Sequence, residues 1–348
     1  MQQTQIDFEK QQEHLKNVSR TFALTIPMLP ESLIDYISNA YLLCRIADTV
    51  EDDPIAPTKQ KIAWLVSFAQ FCSNDFSDDM QLLSLHKQAV ELVQKGSKTT
   101  EFELIKDMQG VITRTRSFPR KVQMILSKGV TILSYGMAQS LQGLNIKDVD
   151  DVDKYCYYVA GVVGELLAAL FCEYNHTIDK HALMILSVSF GEGLQLTNIL
   201  KDRVEDKMRN VSFLPVVADS EYKKMVEYYI ALCQGHLDDA LAFICKVPTG
   251  EYGIRLFCLL NIAMATATLK LISKSDLLDE KKPKISRNKV KFLYVLSKFC
   301  AKNNFLTVCF FKMLSRGVKR ERRSALELRN KVSCWEQKIT DFTIEDND

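Results

Sequence analysis

The sequence predicts an all-α protein. Only 13 glycines and eight prolines occur in 348 residues, about half the usual share of turn formers, which favours few and long elements. No stretch shows the apolar–polar alternation typical of paired strands. After a polar lead-in at 1–17, apolar residues recur at helical spacing in ten segments. These are 31–49, 58–73, 80–95, 102–115, 120–142, 155–174, 180–209, 219–246, 250–273 and 289–315.

The composition limits the functional classes. With 47% apolar and 25% charged residues, the chain is typical of a globular protein. A formal net charge of +2 gives no electrostatic footprint for nucleic acid. The N-terminus lacks the apolar core of a signal peptide, and the ten cysteines form no C-x-x-C pair, so we predict a cytoplasmic protein with reduced thiols. We expect no apolar run to reach the ~18 residues of a membrane span.

One shift in composition predicts a domain boundary. Between residues 312 and 331 there are eight basic residues and only two acidic ones, Glu321 and Glu327. We therefore predict a single helical domain over 17–315, a basic helical tail over 316–348, and a monomer.

Two acidic motifs stand out, since residues 48–52 and 202–206 both read D-x-x-E-D. Helix positions i and i+4 share one face, with i+3 adjacent, so each motif projects two or three carboxylates from a short stripe. A single copy is typically a solvated helix end. Here both copies end an apolar helix and lie next to a cation, Arg45 or Lys201, which indicates a common role. The carboxylates are Asp48, Glu51, Asp52, Asp202, Glu205 and Asp206.

The chemistry that suits two such stripes is the binding of Mg²⁺. This ion prefers oxygen ligands and is typically held by a few carboxylates together with substrate phosphates. Adjacent Arg and Lys side chains suit a diphosphate, and the apolar helices suit a hydrophobic remainder. The residues thus predict metal-assisted loss of diphosphate from an apolar ester.

Four sequence blocks, in this order, resemble the squalene and phytoene synthase family of head-to-head isoprenyl transferases. They read S-R-T-F at 19–22, R-I-A-D-T-V-E-D at 45–52, Y-C-Y-Y-V-A-G-V-V-G at 155–164 and Q-L-T-N-I-L-K-D-R-V-E-D at 195–206. Within the family, F-C at 257–258, M-A-T-A-T-L at 264–269 and K-I-S-R at 284–287 are most similar to the squalene-forming members.

The resemblance implies an isoprenoid (terpenoid) synthase fold with a central cavity. It also implies two farnesyl diphosphates as substrates, which are coupled through presqualene diphosphate and reduced by NADPH to squalene. The six carboxylates would hold Mg²⁺. Diphosphate or cofactor phosphates would be bound by Arg20, Arg45, Lys201, Lys284 and Arg287. Two alternatives stay open: a synthase without the NADPH step, which gives dehydrosqualene or phytoene, and a non-catalytic helical relative that acts as an assembly factor.

The resemblance also assigns the residues around the substrate. Tyr155 offers a hydroxyl and a π face to a developing carbocation. Because a neutral phenol is a weak base, we expect diphosphate to accept the proton and Tyr155 to relay it or orient the groups. The small residues near Gly164 would let a helix or a prenyl chain approach closely. The expected substrate-binding residues are Phe22, Tyr41, Val159, Val163, Gln195, Asn198 and Arg209.

Two positions depart from the family pattern. Lys201 replaces the usual Arg, so a point charge replaces a bidentate fork. The loop after Asp206 lacks the usual Gly-Arg turn, and we assign Arg209 to that role with its register open.

The C-terminal segment suggests contact with a membrane surface. The apolar residues 304–315 join the basic residues of 312–331, a combination that suits an interfacial anchor for anionic lipid. The alternative is a core helix followed by a solvated basic tail.

Overall fold

The computed structural model describes residues 6–143, 145–209, 211–276 and 283–337. It is about 76% helical, and no strand occurs in these ranges, which confirms the predicted all-α class. The chain forms two compact units. The first contains the described residues up to 143 together with 334–337, and the second contains those from 145 to 333.

The first unit is built around α3, which lies against α1, α7 and α8. Leu42, Leu43 and Ile46 of α3 are fully buried, so the position of this helix is fixed by packing along its length. Its C-terminal end carries the first acidic motif. The helices are α1 (Phe8–Val18), α2 (Phe22–Thr25), α3 (Glu31–Glu51), α4 (Thr58–Ser73), α5 (Asp79–Val93), α6 (Thr99–Lys106), α7 (Met108–Arg116) and α8 (Arg120–Leu141).

The second unit is built around α11, which contacts α10, α12, α13 and α16. The second acidic motif lies in its last two turns. The helices are α9 (Val149–Cys156), α10 (Val162–Tyr174), α11 (Lys180–Met208), α12 (Asp219–Lys246), α13 (Tyr252–Ile272), α14 (Arg287–Cys300), α15 (Asn304–Ser315) and α16 (Ala325–Val332). A π-helical turn, Tyr157–Gly161, joins α9 to α10.

Two glycines let α11 approach α10 and the π-helical turn at backbone distance. A Cβ atom at Gly164 would lie 2.0 Å from the carbonyl oxygen of Ser187, and one at Gly191 would lie 2.1 Å from that of Ala160. Any side chain there would force the helices apart. The close approach expected from the small residues near Gly164 is therefore made by a helix, α11.

Three continuous helical stretches of the described residues are long and apolar enough to cross a membrane by length and composition. They are Val149–Tyr174, which comprises α9, the π-helical turn and α10, together with Lys180–Met208 and Tyr252–Ile272. The expectation that no run reaches that length was wrong. Gly, Ser and Thr interrupt the strongly apolar residues of these helices, but the mean hydropathy stays as high as that of a membrane span. In this structure 72–83% of each apolar window is buried within the protein.

Residues 316–333, which follow the predicted boundary, are tied to the second unit by buried ion pairs. Glu165 is fully buried and accepts hydrogen bonds from Tyr157 Oη at 3.0 Å, Arg329 Nε at 2.8 Å and Ser333 Oγ at 2.7 Å. Arg323 donates two hydrogen bonds, of 2.9 and 2.5 Å, to the buried Asp153.

Further contacts hold the same segment. Arg320 Nε donates to Asp238 at 2.9 Å, and Lys331 pairs with Asp150. The segment crosses α12 so closely that a Cβ atom at Gly235 would lie 2.0 Å from the Glu321 carbonyl oxygen. The boundary at 316 stays a prediction, but the paired cations of this segment are not available to bind lipid.

We expect Arg329→Ala to lower the free energy of unfolding by about 3 kcal/mol. This is the low end of the range for breaking a buried pair, because Glu165 keeps two neutral donors and can take up a proton. Urea denaturation followed by circular dichroism measures the loss. Lys319→Ala is the control, since Lys319 is 82% exposed and lies 3.8 Å from Glu227, and it should change stability by less than about 0.5 kcal/mol. If both substitutions lowered the stability equally, the ion pair of Arg329 with Glu165 would not be what holds this segment on the second unit.

Candidate functional site

The first acidic motif occupies the last turn of α3, where Asp48 and Glu51 are half-buried and Asp52 is exposed. Burial, with the charge of Asp52 adding to the shift, raises the pKa of Asp48 to about 7 against the lowering effect of Arg45. Burial likewise raises the pKa of Glu51 to about 8, with Asp52 and Asp48 adding to the shift. The three carboxylates therefore oppose one another's ionisation, which a bound cation would relieve.

The cations around this motif are already engaged. Arg45 Nη1 lies 3.5 Å from Asp48 Oδ2, and Arg45 Nη2 donates to Glu101. Lys61 Nζ caps the helix end by donating to the carbonyl oxygens of Glu51 at 2.5 Å and of Asp53 at 3.0 Å. A diphosphate bound by Arg45 would compete with Glu101. Neither Glu101 nor Lys61 was expected from the sequence, because each comes from a separate helix.

The predicted substrate residues of the first unit lie near this helix. The rings of Phe22 and Tyr41 are 5.2 Å apart, and Tyr41 Oη donates to the Val18 carbonyl oxygen at 3.3 Å. Tyr41 and Arg45 are one turn apart on α3, so they share a face. Arg20 is exposed just before α2.

The second acidic motif lies at the C-terminal end of α11. Asp206 is buried, with 5% of its surface exposed, and pairs with Arg209 just after the helix. Burial raises the pKa of Asp206 against the opposing charge of Arg209. Lys201 Nζ lies 3.3 Å from Asp202 Oδ2 and donates to Asn198 Oδ1 at 3.0 Å. Lys201, Asn198 and Arg209 thus all lie beside this motif.

A cavity of about 360 Å³ opens next to Asp206 within the second unit. The ring of Tyr155 stacks on Phe213, a residue of the cavity wall, with centroids 4.8 Å apart and planes 20° apart. Tyr155 lies two residues before the π-helical turn, a feature often found at functional sites. The lining comprises Ile199, Arg203, Asp206, Lys207, Val211, Ser212, Phe213, Leu214, Pro215, Val216, Val217, Asp219, Tyr222 and Met225.

The remaining predicted residues lie elsewhere in the second unit. Val159, Val163 and Gln195 are half-buried on the π-helical turn, α10 and α11, and none of them lines this cavity. Lys284 and Arg287 are exposed at the start of α14. There Ser286 caps the helix by accepting a hydrogen bond from the Lys289 backbone N–H at 3.2 Å.

The donor set of the two motifs fits Mg²⁺. Each motif supplies three carboxylates from one helix end, and in the first motif burial, together with the charges of the neighbouring carboxylates, raises two pKa values. Mg²⁺ prefers hard oxygen donors, and the negative charge of these carboxylates requires a cation nearby.

A second group of possible metal ligands lies in the core of the second unit. The ligand atoms of Asp153, Glu192 and His236 lie within 4.8 Å of one another. Both carboxylate oxygens of Glu192, and Nε2 of His236, have no hydrogen-bond partner among the described residues. Arg323 already neutralises Asp153, and one donor is an imidazole, so the group does not match the all-oxygen preference of Mg²⁺.

Burial sets the protonation of this core group. It raises the pKa of Glu192 well above its usual value, and the charge of Asp153 adds to the shift. Burial also lowers the pKa of His236 to about 3, with the positive charge of Arg323 contributing. A protonated Glu192 and a neutral His236 beside the Arg323–Asp153 pair give a core without net charge. The sequence carried no signal for this group, because its members come from three helices.

Comparison with known proteins identifies the class. The family model for squalene/phytoene synthases matches residues 15–289, so the chain belongs to the squalene/phytoene synthase family, as its sequence motifs indicated. Squalene synthase from Nicotiana benthamiana is 34% identical over 196 residues, which is 55% of this chain and 42% of the relative. The chain thus spans less than half the length of that relative.

Solved structures share the fold. A ligand complex of TcSQS aligns with a TM-score of 0.73 at 20% identity and covers 96% of this chain and 99% of that one. A dehydrosqualene synthase complex aligns with a TM-score of 0.55 at 19% identity, covering 84% and 95%. These likenesses confirm the isoprenoid synthase fold.

We expect Glu192→Gln to stabilise the protein increasingly as the pH rises from 5 to 8. The folded-state pKa of Glu192 lies above its unfolded value, so the folded state must hold a proton or bury a charge. This cost begins above the unfolded pKa of about 4.3 and grows by up to ~1.4 kcal/mol per pH unit until the folded pKa is reached. His236 works in the opposite sense below pH ~6.5, but it is present in both proteins and cancels.

Urea denaturation at pH 5, 6.5 and 8 measures the difference between Glu192→Gln and the unsubstituted protein. Glu13→Gln, at an exposed site on α1, serves as the control and should show no pH-dependent difference. A Glu192→Gln difference that stays constant across this range would show that Glu192 is ionised in the folded state.

Proposed function

We propose that this protein is a squalene synthase that couples two farnesyl diphosphates through presqualene diphosphate and reduces the product with NADPH. The observation that carries the proposal is the pair of D-x-x-E-D motifs, each at the end of a packed helix, in a chain of the squalene/phytoene synthase family. A scaffold without chemistry would not need six carboxylates arranged in this way.

In this proposal the carboxylates hold Mg²⁺. They are Asp48, Glu51, Asp52, Asp202, Glu205 and Asp206. The ion would supply positive charge that stabilises the departing diphosphate. Lys201, next to Asp202, and Arg45, next to Asp48, would bind diphosphate oxygens, with Arg20 and Arg209 as further donors. Arg45 would then leave its ion pair with Glu101 and bind the diphosphate of the substrate instead.

The aromatic and apolar residues would position the prenyl chains. Tyr155 is 9% exposed, and its stacking on Phe213 fixes the ring plane, so its hydroxyl can orient a proton on its way to diphosphate. The ring face can stabilise a nearby carbocation. The substrate-binding role implied by the resemblance is assigned to Phe22 and Tyr41 in the first unit and to Val159, Val163, Gln195 and Asn198 in the second.

Lys284 and Arg287 would bind the phosphates of NADPH. Both side chains are exposed and lie at the N-terminal end of α14, where backbone N–H groups favour anions. NADPH would supply the hydride that completes squalene.

The second candidate is a dehydrosqualene or phytoene synthase, which omits the reduction. Its support is the likeness to a dehydrosqualene synthase structure and the breadth of the family, whose description includes phytoene synthases. The two candidates share the carboxylate chemistry and differ in the cofactor.

We expect Asp52→Asn and Asp206→Asn each to lower the turnover of farnesyl diphosphate by about 100-fold or more, equivalent to ~2.7 kcal/mol of transition-state stabilisation. Asn keeps the size of the side chain but removes the charge that binds the ion. Because like-charge repulsion is also removed, the melting temperature should not fall. Glu91→Gln, an exposed site on α5, is the control and should keep full activity. Undiminished turnover in excess chelator would contradict the metal role.

We expect the product to depend on NADPH. With farnesyl diphosphate and Mg²⁺ alone, presqualene diphosphate or dehydrosqualene-type products should accumulate, and squalene should predominate once NADPH is added. Gas chromatography with mass spectrometry of the extracted lipids distinguishes them. A product mixture unaffected by NADPH would assign the chain to the second candidate, and the absence of any product would favour a non-catalytic relative.

A further inference from the structure

Helix α14 carries an apolar stripe on its outward side. Phe292, Val295 and Phe299 are 50%, 50% and 64% exposed, and their spacing of three and four residues places them on one face. Leu293 and Ser297 on the opposite side are fully buried. The helix is therefore apolar where a solvated surface helix is normally polar.

Helix α15 repeats this arrangement. Phe305, Leu306 and Met313 are 73%, 45% and 53% exposed, while Phe310 and Phe311 are buried. Helices α14 and α15 contact each other and are joined by the short connection 301–303. Single exposed apolar residues are ordinary, but six large ones on one helical hairpin indicate an interaction surface.

The charges of this hairpin are all positive. From residue 287 to 316 the sequence has no Asp or Glu. All seven basic residues are exposed, and none forms an ion pair with a described residue. They are Arg287, Lys289, Lys291, Lys298, Lys302, Lys312 and Arg316. Lys289 Nζ lies 5.2 Å from the centroid of the Phe292 ring, so cations border the apolar stripe. The cations that follow are different, since Arg320, Arg323 and Arg329 pair with carboxylates of their own unit.

We propose that the α14–α15 hairpin docks on the surface of an anionic lipid bilayer. The phenylalanines and their apolar neighbours would enter the interface while the lysines and Arg316 contact the lipid headgroups. Nucleic acid would satisfy the cations but leave the apolar stripes in water. A second copy of the hairpin would bring seven like charges against seven. An anionic bilayer satisfies both features together.

This placement revises the sequence-based anchor. The anchor predicted from the sequence combined residues 304–315 with the basic residues that follow them. In the structure, most of these following basic residues form ion pairs with carboxylates of the second unit. Five of the seven unpaired cations precede α15, Lys312 lies on it, and Arg316 follows it directly. The inference rests on surface composition and holds whatever reaction the protein catalyses.

Sedimentation with vesicles tests the proposal on the full chain. The protein should pellet with vesicles of 70% phosphatidylcholine and 30% phosphatidylserine, and much less with phosphatidylcholine alone. Phe299→Glu with Phe305→Glu should weaken this binding by about tenfold or more. The matched control is Met80→Glu with Met124→Glu, which adds the same charge at exposed apolar sites of the first unit and should retain binding within about threefold.

A tryptophan probe gives a second readout that does not depend on the charged variants folding. The native Trp64 and Trp335 are 1% and 6% exposed, so Phe305→Trp adds the one tryptophan expected to meet the lipid. Its emission should shift to the blue and be quenched by brominated anionic lipids. Unchanged binding of the Phe299→Glu, Phe305→Glu protein, or an unquenched probe, would overturn the proposal. So would light scattering that shows a dimer lost in the double variant without any vesicle binding.

Discussion

Crowded carboxylates on otherwise apolar helices are the constraint on which the rest of this structure depends. Burial and mutual repulsion raise the pKa values of Asp48 and Glu51 to about 7 and 8, so the helix end tolerates them at a cost. A cation bound by the carboxylates would offset this cost. It can be held in place only if the helices that carry the carboxylates are rigid. Rigidity comes from the packing of α3 against three helices in the first unit. In the second unit it comes from the backbone contact of Gly164 and Gly191 with their neighbours.

Internal ion pairs extend this rigidity to the end of the second unit. Arg323 and Arg329 bring residues that follow α15 onto Asp153 and Glu165, which lie on α9 and α10. Tyr157 of the π-helical turn joins the same network through Glu165. The turn that follows Tyr155 is thereby linked to residues 323–333.

The sequence predicted long elements well where apolar periodicity is uninterrupted. The segments 58–73 and 219–246 match α4 and α12 residue for residue. Three of the features that were missed have a local physical explanation. Helix α1 has few apolar residues and is held in part by Lys10 and His14, which both contact Asp107. Asp107 also marks the break between α6 and α7, within the single helix expected at 102–115. The helix expected at 289–315 is two helices, and Asn303 caps the second by accepting from the backbone N–H groups of Phe305 and Leu306, a signal that the sequence does contain.

For the site, the sequence predicted the residues that lie within one turn of a helix, but not the residues that other helices contribute. The two acidic motifs, Arg45 and Lys201 are local patterns, so they could be read directly. Glu101 reaches Arg45 from α6, and the Glu192–His236 contact joins α11 to α12 at 3.7 Å, and no local spacing reports such pairs. The exposed apolar stripe of α14 was not predicted for a related reason. The sequence alone does not show whether an apolar residue faces the core or the solvent.

The most direct test of the central claim is calorimetric titration of the protein with inorganic diphosphate, with Mg²⁺ present and with the metal chelated. If the acidic motifs hold a cation that in turn holds diphosphate, saturable binding occurs with Mg²⁺ and is lost in its absence. Diphosphate binding of equal affinity under both conditions would contradict the account, because arginine and lysine side chains alone would then suffice.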